Sequence, residues 1–187
     1  MELLQAVNAV LPHLGEHTIT RVEGAKHPTV DLILGAIDRH RLSILAEGLW
    51  FNESTVILPV NTDGQIDVPQ GTIAVYGIDC NVELDGERFF DLNTASRYFH
   101  APITVRLVRD VQFNRLPINV ALCVTYRAGA EVYVQDYGRE GGVDSTTEMQ
   151  GLANMNWVQV TQENLRKRKY NSQVRTRRRI VGAVKFR

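Results

Sequence analysis

The sequence has only two cysteines and lacks the motifs by which most cofactor-dependent enzymes are recognised. Cys80 and Cys123 stand alone, without a CxxC pair or metal-ligand spacing, so they predict neither a zinc site nor a disulfide framework, and they are typical of a reducing compartment. A Walker-type loop, GxGxxG, GxSxG, HExxH and the deaminase pattern are all absent. We therefore expect no cofactor and none of the corresponding chemistries.

Long apolar runs are also missing. No stretch approaches the roughly 20 residues that a membrane span needs, and the N-terminus has no basic segment followed by a small-residue cleavage site. The five histidines are scattered singly, a pattern that does not favour a metal site. Because 44% of the 187 residues are hydrophobic, we expect one main core in a soluble, intracellularly folded protein with no membrane partner.

Positive charge, by contrast, is concentrated at the C-terminal end. Ten of the 21 basic residues follow Glu163 and no acidic residue does, so the neutral total divides into −10 for residues 1–165 and +10 for the rest. Such asymmetry favours an acidic body with a basic arm that binds nucleic acid or the acidic face of a protein. A solvated, frayed terminus is the simpler alternative. Apolar residues return in 180–187, however, as in a segment that docks or adds a strand to a neighbour.

Apolar periodicity predicts four helices. The first covers residues 3–14 and is closed by Gly15, and the second runs over 29–49 with Thr29 as N-cap. A third, rich in small residues that let another helix approach closely, starts with Pro117 at its first position and ends near 138. The last begins at a capping box over 145–148, after a glycine hinge at 141–142. On the second helix Arg39, His40 and Arg41 are assigned to the solvent side, and on the last Leu165 is assigned to the core.

Alternating apolar and polar residues with turn signals predict short antiparallel strands between the second and third helices. Asp63-Gly64 and Asp85-Gly86 are the hairpin signals. The predicted strands are 50–58, 65–68, 72–78, the two arms of 82–92, and 103–108.

The expected fold is therefore α+β. An antiparallel bundle of about four helices, residues 1–49 and 113–170, carries an inserted antiparallel β subdomain at 50–112 and an extended basic C-terminal arm at 171–187.

Two further side-chain patterns suggest functions. The last helix has uncharged amides at Asn154, Asn156, Gln159 and Gln162, which suit contact with a symmetry mate or the lining of a pore, although an ordinary wet face explains them equally. The β segment has five carboxylates from Asp79 to Asp91, and a pair of these at suitable separation would allow glycan hydrolysis. Exposed positions on antiparallel strands are the simpler reading of the same residues.

Nine short stretches follow one another in an order that is typical of one protein family. They are Ala6-Val7-Asn8, Leu14-Gly15-Glu16, Val22-Glu23-Gly24, Glu47-Gly48-Leu49-Trp50-Phe51-Asn52, Leu58-Pro59, Asp63-Gly64-Gln65-Ile66, Val68-Pro69, Arg88-Phe89-Phe90-Asp91-Leu92 and Leu116-Pro117. In this succession the chain resembles the tail tubular protein A family, the head-to-tail adaptors of short-tailed bacteriophages. It departs from the family where Arg-Gly-Trp is replaced by Glu47-Gly48-Leu49-Trp50, and its basic end beyond Ser172 has no residue-by-residue match.

The resemblance implies a non-enzymatic virion protein, assembled in the host cytoplasm into a ring of identical subunits, twelvefold in the family. The ring would join the portal to the tail nozzle protein, tail tubular protein B, and double-stranded DNA would pass through its lumen during ejection. The residues assigned to the portal are Arg166, Lys167, Arg168, Lys169, Arg175, Arg177, Arg178, Arg179, Val184 and Phe186. Those assigned to subunit contacts or the lumen are Asn154, Asn156, Gln159 and Gln162, and those facing the nozzle are Asp63, Gly64, Asp85 and Gly86.

Electrostatics favours the portal over DNA as the partner of the basic end. If the end lined a channel, it would bind DNA, and log K for DNA would fall by about 0.9 for each neutralised phosphate per log unit of salt. Repeated around a ring, this would hold the genome rather than release it. A nucleic-acid-binding module that uses the basic arm is the alternative function, and a glycan hydrolase of the tail is a third.

Overall fold

The computed structural model describes residues 1–23, 27–138 and 143–184, with side-chain environments for all of these except 143–144 and 169–184. It confirms the α+β class. The helices are α1 (Leu3–Val10), α2 (Pro28–Ala46), α3 (Ile118–Tyr137) and α4 (Val143–Val184), and the strands are β1 (Glu53–Leu58), β2 (Thr72–Gly77), β3 (Val82–Asp85), β4 (Arg88–Asp91) and β5 (Ile103–Arg109).

The chain forms two compact units. The helical unit contains residues 1–40 and 113–187, and the β unit contains residues 41–112. The boundary thus falls inside α2, whereas the sequence suggested a boundary after residue 49. The separate domain status of 50–112 and of 171–187 stays a prediction.

The first helix ends as its sequence predicts. Behind α1 the chain tightens into a 3₁₀ turn, Leu11–Leu14, that contains Pro12. Gly15 then adopts a left-handed conformation with φ of 71°, and its amide donates to the carbonyls of Leu11 and Pro12. A residue without Cβ takes this conformation at little cost, which is why glycine so often ends a helix.

Both ends of α2 differ from the prediction. The helix begins at Pro28, so Thr29 lies inside it and is not the N-cap. The Thr29 hydroxyl instead donates to Glu16 Oε1 at 2.8 Å. At the other end α2 stops at Ala46, before the predicted residue 49. There Asn52 Oδ1 accepts from the Leu49 amide, and its Nδ2 donates to the Leu45 carbonyl.

The three polar residues assigned to the solvent side of α2 are not equally exposed. The side chain of Arg39 is 58% exposed, but that of Arg41 is only 12% exposed and is ion-paired with Asp110. Arg41 also donates to the carbonyl of Val111 at 2.9 Å. For Arg41 the prediction is therefore wrong, because a long side chain can lie partly buried when a carboxylate and a carbonyl accept hydrogen bonds from its guanidinium.

Helices α3 and α4 pack closely at a glycine. A Cβ built on Gly129 would lie 2.8 Å from Met149 Sδ of α4 and 3.1 Å from both Cγ atoms of Val10 of α1. Met149 and Val10 are completely buried. The small-residue face predicted for this helix thus has the expected consequence, since three helices meet where a side chain is missing.

Two helix starts are displaced from their predicted positions. Pro117 is the N-cap of α3 rather than its first helical residue. Helix α4 already begins at Val143, so the capping-box sequence at 145–148 lies inside the helix. The predicted hinge at 141–142 lies outside the described residues.

Helix α4 is also much longer than predicted. It contains 42 residues, which corresponds to about 63 Å at 1.5 Å per residue. The backbone of 171–184 continues the helix where an extended arm with a strand-like end was expected. Arginine, glutamine and lysine are good helix formers, and the first glycine of this stretch is Gly182, so local propensity supports the observed helix. Residues 185–187 lie outside the described part of the chain.

The β unit contains a three-stranded antiparallel sheet of order β1-β5-β2 and the two-stranded hairpin β3-β4. The hairpin turns at Gly86, which has φ of 65°, as the Asp85-Gly86 signal predicts. The core of the unit lies on the inner face of the sheet and consists of Leu58, Ile66, Val82, Phe89, Phe99, Ile103, Val105 and Leu107.

The predicted strand over 65–68 is absent, and the reason lies in the turn before it. Asn61 Oδ1 accepts hydrogen bonds from the amides of Asp63 (3.0 Å) and Gln65 (2.9 Å). These side-chain contacts compete with a strand ladder for the backbone donors. Only an isolated bridge between Asp67 and Arg88 remains.

A buried asparagine connects the end of α2 to the sheet. Asn52 is 3% exposed. Its Oδ1 accepts from the Leu49 amide at 2.7 Å, and its Nδ2 donates to the carbonyls of Leu45 (2.9 Å) and Arg109 (3.1 Å). One buried side chain therefore bonds three backbone groups, from the end of α2, the turn after it and the end of β5.

Replacement of this amide tests its role. Asn52→Asp keeps the shape but loses both N–H donors and buries a carboxylate, so we expect the free energy of unfolding to fall by about 2–5 kcal/mol. Asn154→Asp is the matched control, because that side chain is exposed, and it should cost less than about 1 kcal/mol. Urea unfolding followed by circular dichroism measures both. Equal effects would show that Asn52 is not the link described.

The glycine contact gives a second test. Alanine improves helix propensity by about 1 kcal/mol at either Gly129 or Gly151, but only the first position is crowded, since a Cβ on Gly151 meets nothing within 4 Å. We expect Gly151→Ala to stabilise the protein. Gly129→Ala should be less stable than Gly151→Ala by about 1–3 kcal/mol because of overpacking. Equal stabilisation in urea titrations would contradict the close approach of α3 and α4.

Candidate functional site

The outer side of α4 is a candidate assembly surface of the helical unit. The opposite side of the helix is held by the buried residues Met149, Ala153 and Val160. At its margin the guanidinium of Arg127 lies 5.2 Å from the centre of the Trp157 ring, a cation–π contact that fixes the rotation of α4 against α3. These contacts determine which side of α4 faces away from α3.

This outer side carries large apolar residues. Met155, Val158 and Leu165 are 61%, 53% and 70% exposed. Their spacing of three and seven residues places them on one side of a helix, as in a coiled-coil seam. The assignment of Leu165 to the core is thus wrong, and we call these three residues the α4 stripe. Helical periodicity alone could have identified the stripe, because Met155 and Val158 do not fit the period of the buried side.

The predicted amide positions divide into two groups. Asn154, Gln159 and Gln162 are exposed beside or within the α4 stripe. Asn156 is half-buried and donates from Nδ2 to the Leu152 carbonyl at 2.8 Å, so part of its hydrogen-bonding capacity is used inside its own helix. A role of these residues in subunit contacts or in a lumen stays a prediction.

The basic residues follow directly along the same helix. Arg166, Lys167 and Arg168 are exposed, and Lys167 Nζ lies 3.6 Å from Glu163 Oε1. Farther along, the helical backbone includes Lys169, Arg175, Arg177, Arg178, Arg179 and, as its last residue, Val184. Phe186 lies outside the described residues. The structure thus brings the basic residues onto one continuous helix.

The two hairpin turns assigned to the nozzle have different surroundings. Asp63 is exposed, whereas Gly64 adopts φ of 77° and its carbonyl accepts from the Phe99 amide at 2.8 Å. Asp85 accepts from Arg97 Nε at 2.7 Å, and Gly86 is exposed. The nozzle assignment of both turns stays a prediction.

The carboxylates of the β unit are engaged in local structure. Hydrogen bonds from the hydroxyl and amide of Thr104 lower the pKa of Asp79. The Asn93 amide and the Thr94 hydroxyl do the same for Asp91. A general acid for glycan hydrolysis needs a raised pKa, so these two residues do not support that alternative.

These carboxylates border a cleft of about 520 Å³ that also contains a thiol. Burial, together with the nearby Asp79, raises the pKa of Cys80. A thiol that holds its proton is a weak nucleophile, so the cleft lacks an activated sulfur. Within residues 1–23, 27–138 and 143–184, no group of three or more His, Cys, Asp or Glu side chains is placed to hold a metal ion.

A partly buried charge cluster lies between α2 and α3 of the helical unit. His40 Nε2 is 2.9 Å from Glu131 Oε2, and the same carboxylate is ion-paired with Arg39. Burial lowers the pKa of His40 despite the opposing attraction of Glu131, and Arg127 and Arg39 lower it further. The hydrogen bond from Arg39 lowers the pKa of Glu131.

The described helices do not include one with both the length and the hydropathy needed to cross a membrane. What the structure offers instead are surfaces on a small α+β protein, chiefly one long helix with an apolar stripe and a basic end. Exposed surfaces of this kind are typical of proteins that act by assembly with other proteins.

Comparison with known proteins identifies the class. Residues 4–178 match the family of tail tubular proteins, and the chain belongs to that family. It is a structural protein of a phage tail and therefore a component of the virion. It is similar to Tail tubular protein A of Klebsiella phage KP34, with 30% identity across an alignment of 187 residues that covers 98% of each chain. The resemblance seen in the order of the short motifs is thereby confirmed.

The charge cluster predicts how stability depends on pH. Because the pKa of His40 is lowered from its ordinary 6.5, the unfolded chain binds the proton more readily than the folded one, and stability falls as the pH drops below about 6.5. The depressed pKa of Glu131 adds a further loss at pH values below its ordinary 4.5.

Substitution isolates the contribution of the histidine. His40→Gln should flatten the loss of unfolding free energy between pH 7 and pH 5, as measured by urea titration at a series of pH values. The control is His17→Gln, which removes an exposed histidine. An unaltered slope in the His40 variant would show that burial does not favour the neutral imidazole.

Proposed function

We propose that this tail protein forms a ring, dodecameric in the complete virion, that joins the portal to the nozzle of a short tail and surrounds the path of the ejected DNA. Its partners would be the portal protein, a nozzle protein of the tail tubular protein B type, and further copies of itself, and assembly would take place in the host cytoplasm. The family membership of the whole chain supports this role, and the double-stranded DNA would be a transient passenger rather than a bound ligand.

One observation carries the proposal for the portal. Helix α4 is packed on α3 at Met149, Ala153 and Val160 and then continues as helix to Val184. Eight of the basic residues lie on this helix, between positions 166 and 179. A helix that is anchored at one end and basic at the other is suited to present positive charge to an acidic groove on another protein.

The charge of the rest of the chain is consistent with a protein that binds the portal but lets DNA pass. Residues 1–165 have a net charge of −10, so the body repels phosphate, and a ring of such bodies would let DNA slide. The turns at Asp63-Gly64 and Asp85-Gly86 are proposed to face the nozzle, because loops carry binding contacts more often than the elements they connect.

A nucleic-acid-binding module is the second candidate, and the helical backbone is the observation that favours it. Arg175, Arg178 and Arg179 follow the i, i+3, i+4 spacing of one helix face. A basic helix can lie along the phosphates of a duplex. Both candidate functions use the same basic residues, which would bind the portal in one and DNA in the other. One set of variants therefore distinguishes the two functions.

Neutralising four arginines tests the portal assignment. In the full chain, Arg175, Arg177, Arg178 and Arg179 are replaced by Gln, which preserves helix propensity. Exposed ion pairs contribute about 0.2–1 kcal/mol each, so portal affinity should fall between about fourfold and several hundredfold, as measured by biolayer interferometry. The matched control replaces the same four residues by Lys and should retain affinity within about threefold. A truncation after Asn171 should behave like the Gln variant.

The outcome also decides between the two partners. Undiminished portal binding by the Gln variant and the truncation would refute portal docking through this end. If the basic end instead binds duplex DNA, the wild-type protein should show a steep salt dependence of affinity, and the Gln variant should lose up to about 3.6 units of slope, or 0.9 for each phosphate contact.

A further inference from the structure

The outer face of the three-stranded sheet is an apolar surface without a role so far. Residues alternate between the two faces of a strand, and those opposite the core include three large exposed side chains. Ile57, Ile78 and Tyr76 are 72%, 57% and 42% exposed. An isolated exposed apolar residue is ordinary, but three on one face form a patch of the kind that marks interaction sites.

The sheet register places these side chains next to one another. Ile57 pairs with Thr104 in the β1–β5 ladder, and the amide of Ile78 donates to the Thr104 carbonyl at 3.0 Å from the other side. In the next row Tyr76 pairs with Arg106, whose guanidinium lies 4.9 Å from the centre of the tyrosine ring. We call this surface, comprising Ile57, Ile78, Thr104, Tyr76 and Arg106, the outer sheet face.

The same chain therefore has two exposed apolar surfaces, the outer sheet face of the β unit and the α4 stripe of the helical unit. The α4 stripe is narrow and convex, since its three side chains follow one line along a helix. The outer sheet face is broad, since it extends across three strands. A helix laid on a sheet is one of the few ways in which elements of these two kinds bury apolar surface.

The two elements that carry these surfaces have net charges of opposite sign. Residues 41–112 contain five basic and ten acidic residues, a net charge of −5. Helix α4 contains eight basic and three acidic residues between positions 143 and 184, a net charge of +5. Parallel pairing of α4 with α4 would place the two basic ends together, and pairing two β units would bring two acidic units together. Pairing α4 of one copy with the β unit of another brings opposite charges together.

We propose that the occupant of the outer sheet face is the α4 stripe of a second copy of this chain. Met155, Val158 and Leu165 of one copy would cover Ile57, Ile78 and Tyr76 of the next. This inference rests on the proposed ring and specifies the surfaces that close it. Such a contact joins two different patches, so each copy donates one and receives the other, and repetition yields a closed ring whenever the rotation closes.

Site-directed cross-linking tests this contact in the assembled protein. The full chain carries Val158→Cys and Ile57→Cys in a Cys80→Ser background, since Cys123 is buried, and rings are assembled with portal and inspected by electron microscopy before a short bismaleimide is added. A head-to-tail contact predicts a ladder of covalent multimers on a denaturing gel. Each single-cysteine variant alone should remain monomeric, and an equimolar mixture of the two single variants should yield dimers.

A matched control places the second cysteine on the same unit but away from the outer sheet face. Glu83 of β3 is exposed, and Val158→Cys combined with Glu83→Cys should give no ladder. Rings that are visible by microscopy but give no ladder with the Val158 and Ile57 pair would overturn the proposed contact and leave the ring function standing. Dimers from Val158→Cys alone, or cross-links from it to portal protein, would also overturn it. Failure of the unsubstituted protein to form rings with portal would refute the proposed function itself.

Discussion

The close approach of α4 to α3 at Gly129 is the constraint on which the functional surfaces depend. Because no side chain separates the two backbones there, Met149 fills the space and fixes the depth of α4 against the bundle. The cation–π contact between Arg127 and Trp157 fixes its rotation. With depth and rotation set, Met155, Val158 and Leu165 must face outward, and the basic residues that follow are carried on the same rigid element.

The β unit is organised differently, by a polar rather than an apolar contact. Asn52 satisfies backbone groups from the end of α2, the turn after it and the end of β5. Such a network is costly to disturb, since each unpaired buried group costs about 1–3 kcal/mol. It therefore fixes the position of the end of β5 beside β1, and the exposure of Ile57 and Ile78 follows from the resulting register.

The sequence predicted what depends on local chemistry and missed what depends on distant partners. Helical periodicity and the Asp85-Gly86 turn signal are properties of neighbouring residues, and the helices and the hairpin they indicated are present. Arg41 was misassigned because its partner, Asp110, is 69 positions away. Leu165 was assigned to the core because α4 has two apolar sides, and periodicity does not show which one packs on α3. The succession of family-like motifs could be recognised without any of these contacts.

The basic residues of α4 fall into two clusters that are able to serve different partners. Lys169 ends the first cluster and Arg175 begins the second, a separation of six residues, or about 9 Å along a helix. The Debye length at physiological salt is about 8 Å, so charge bound to one cluster is largely screened from the other. In the proposed ring the first cluster, which follows the α4 stripe directly, would lie near the acidic β unit of a neighbouring copy as well as being a portal candidate. The second would then stay available for the portal, and ring closure would not compete with docking.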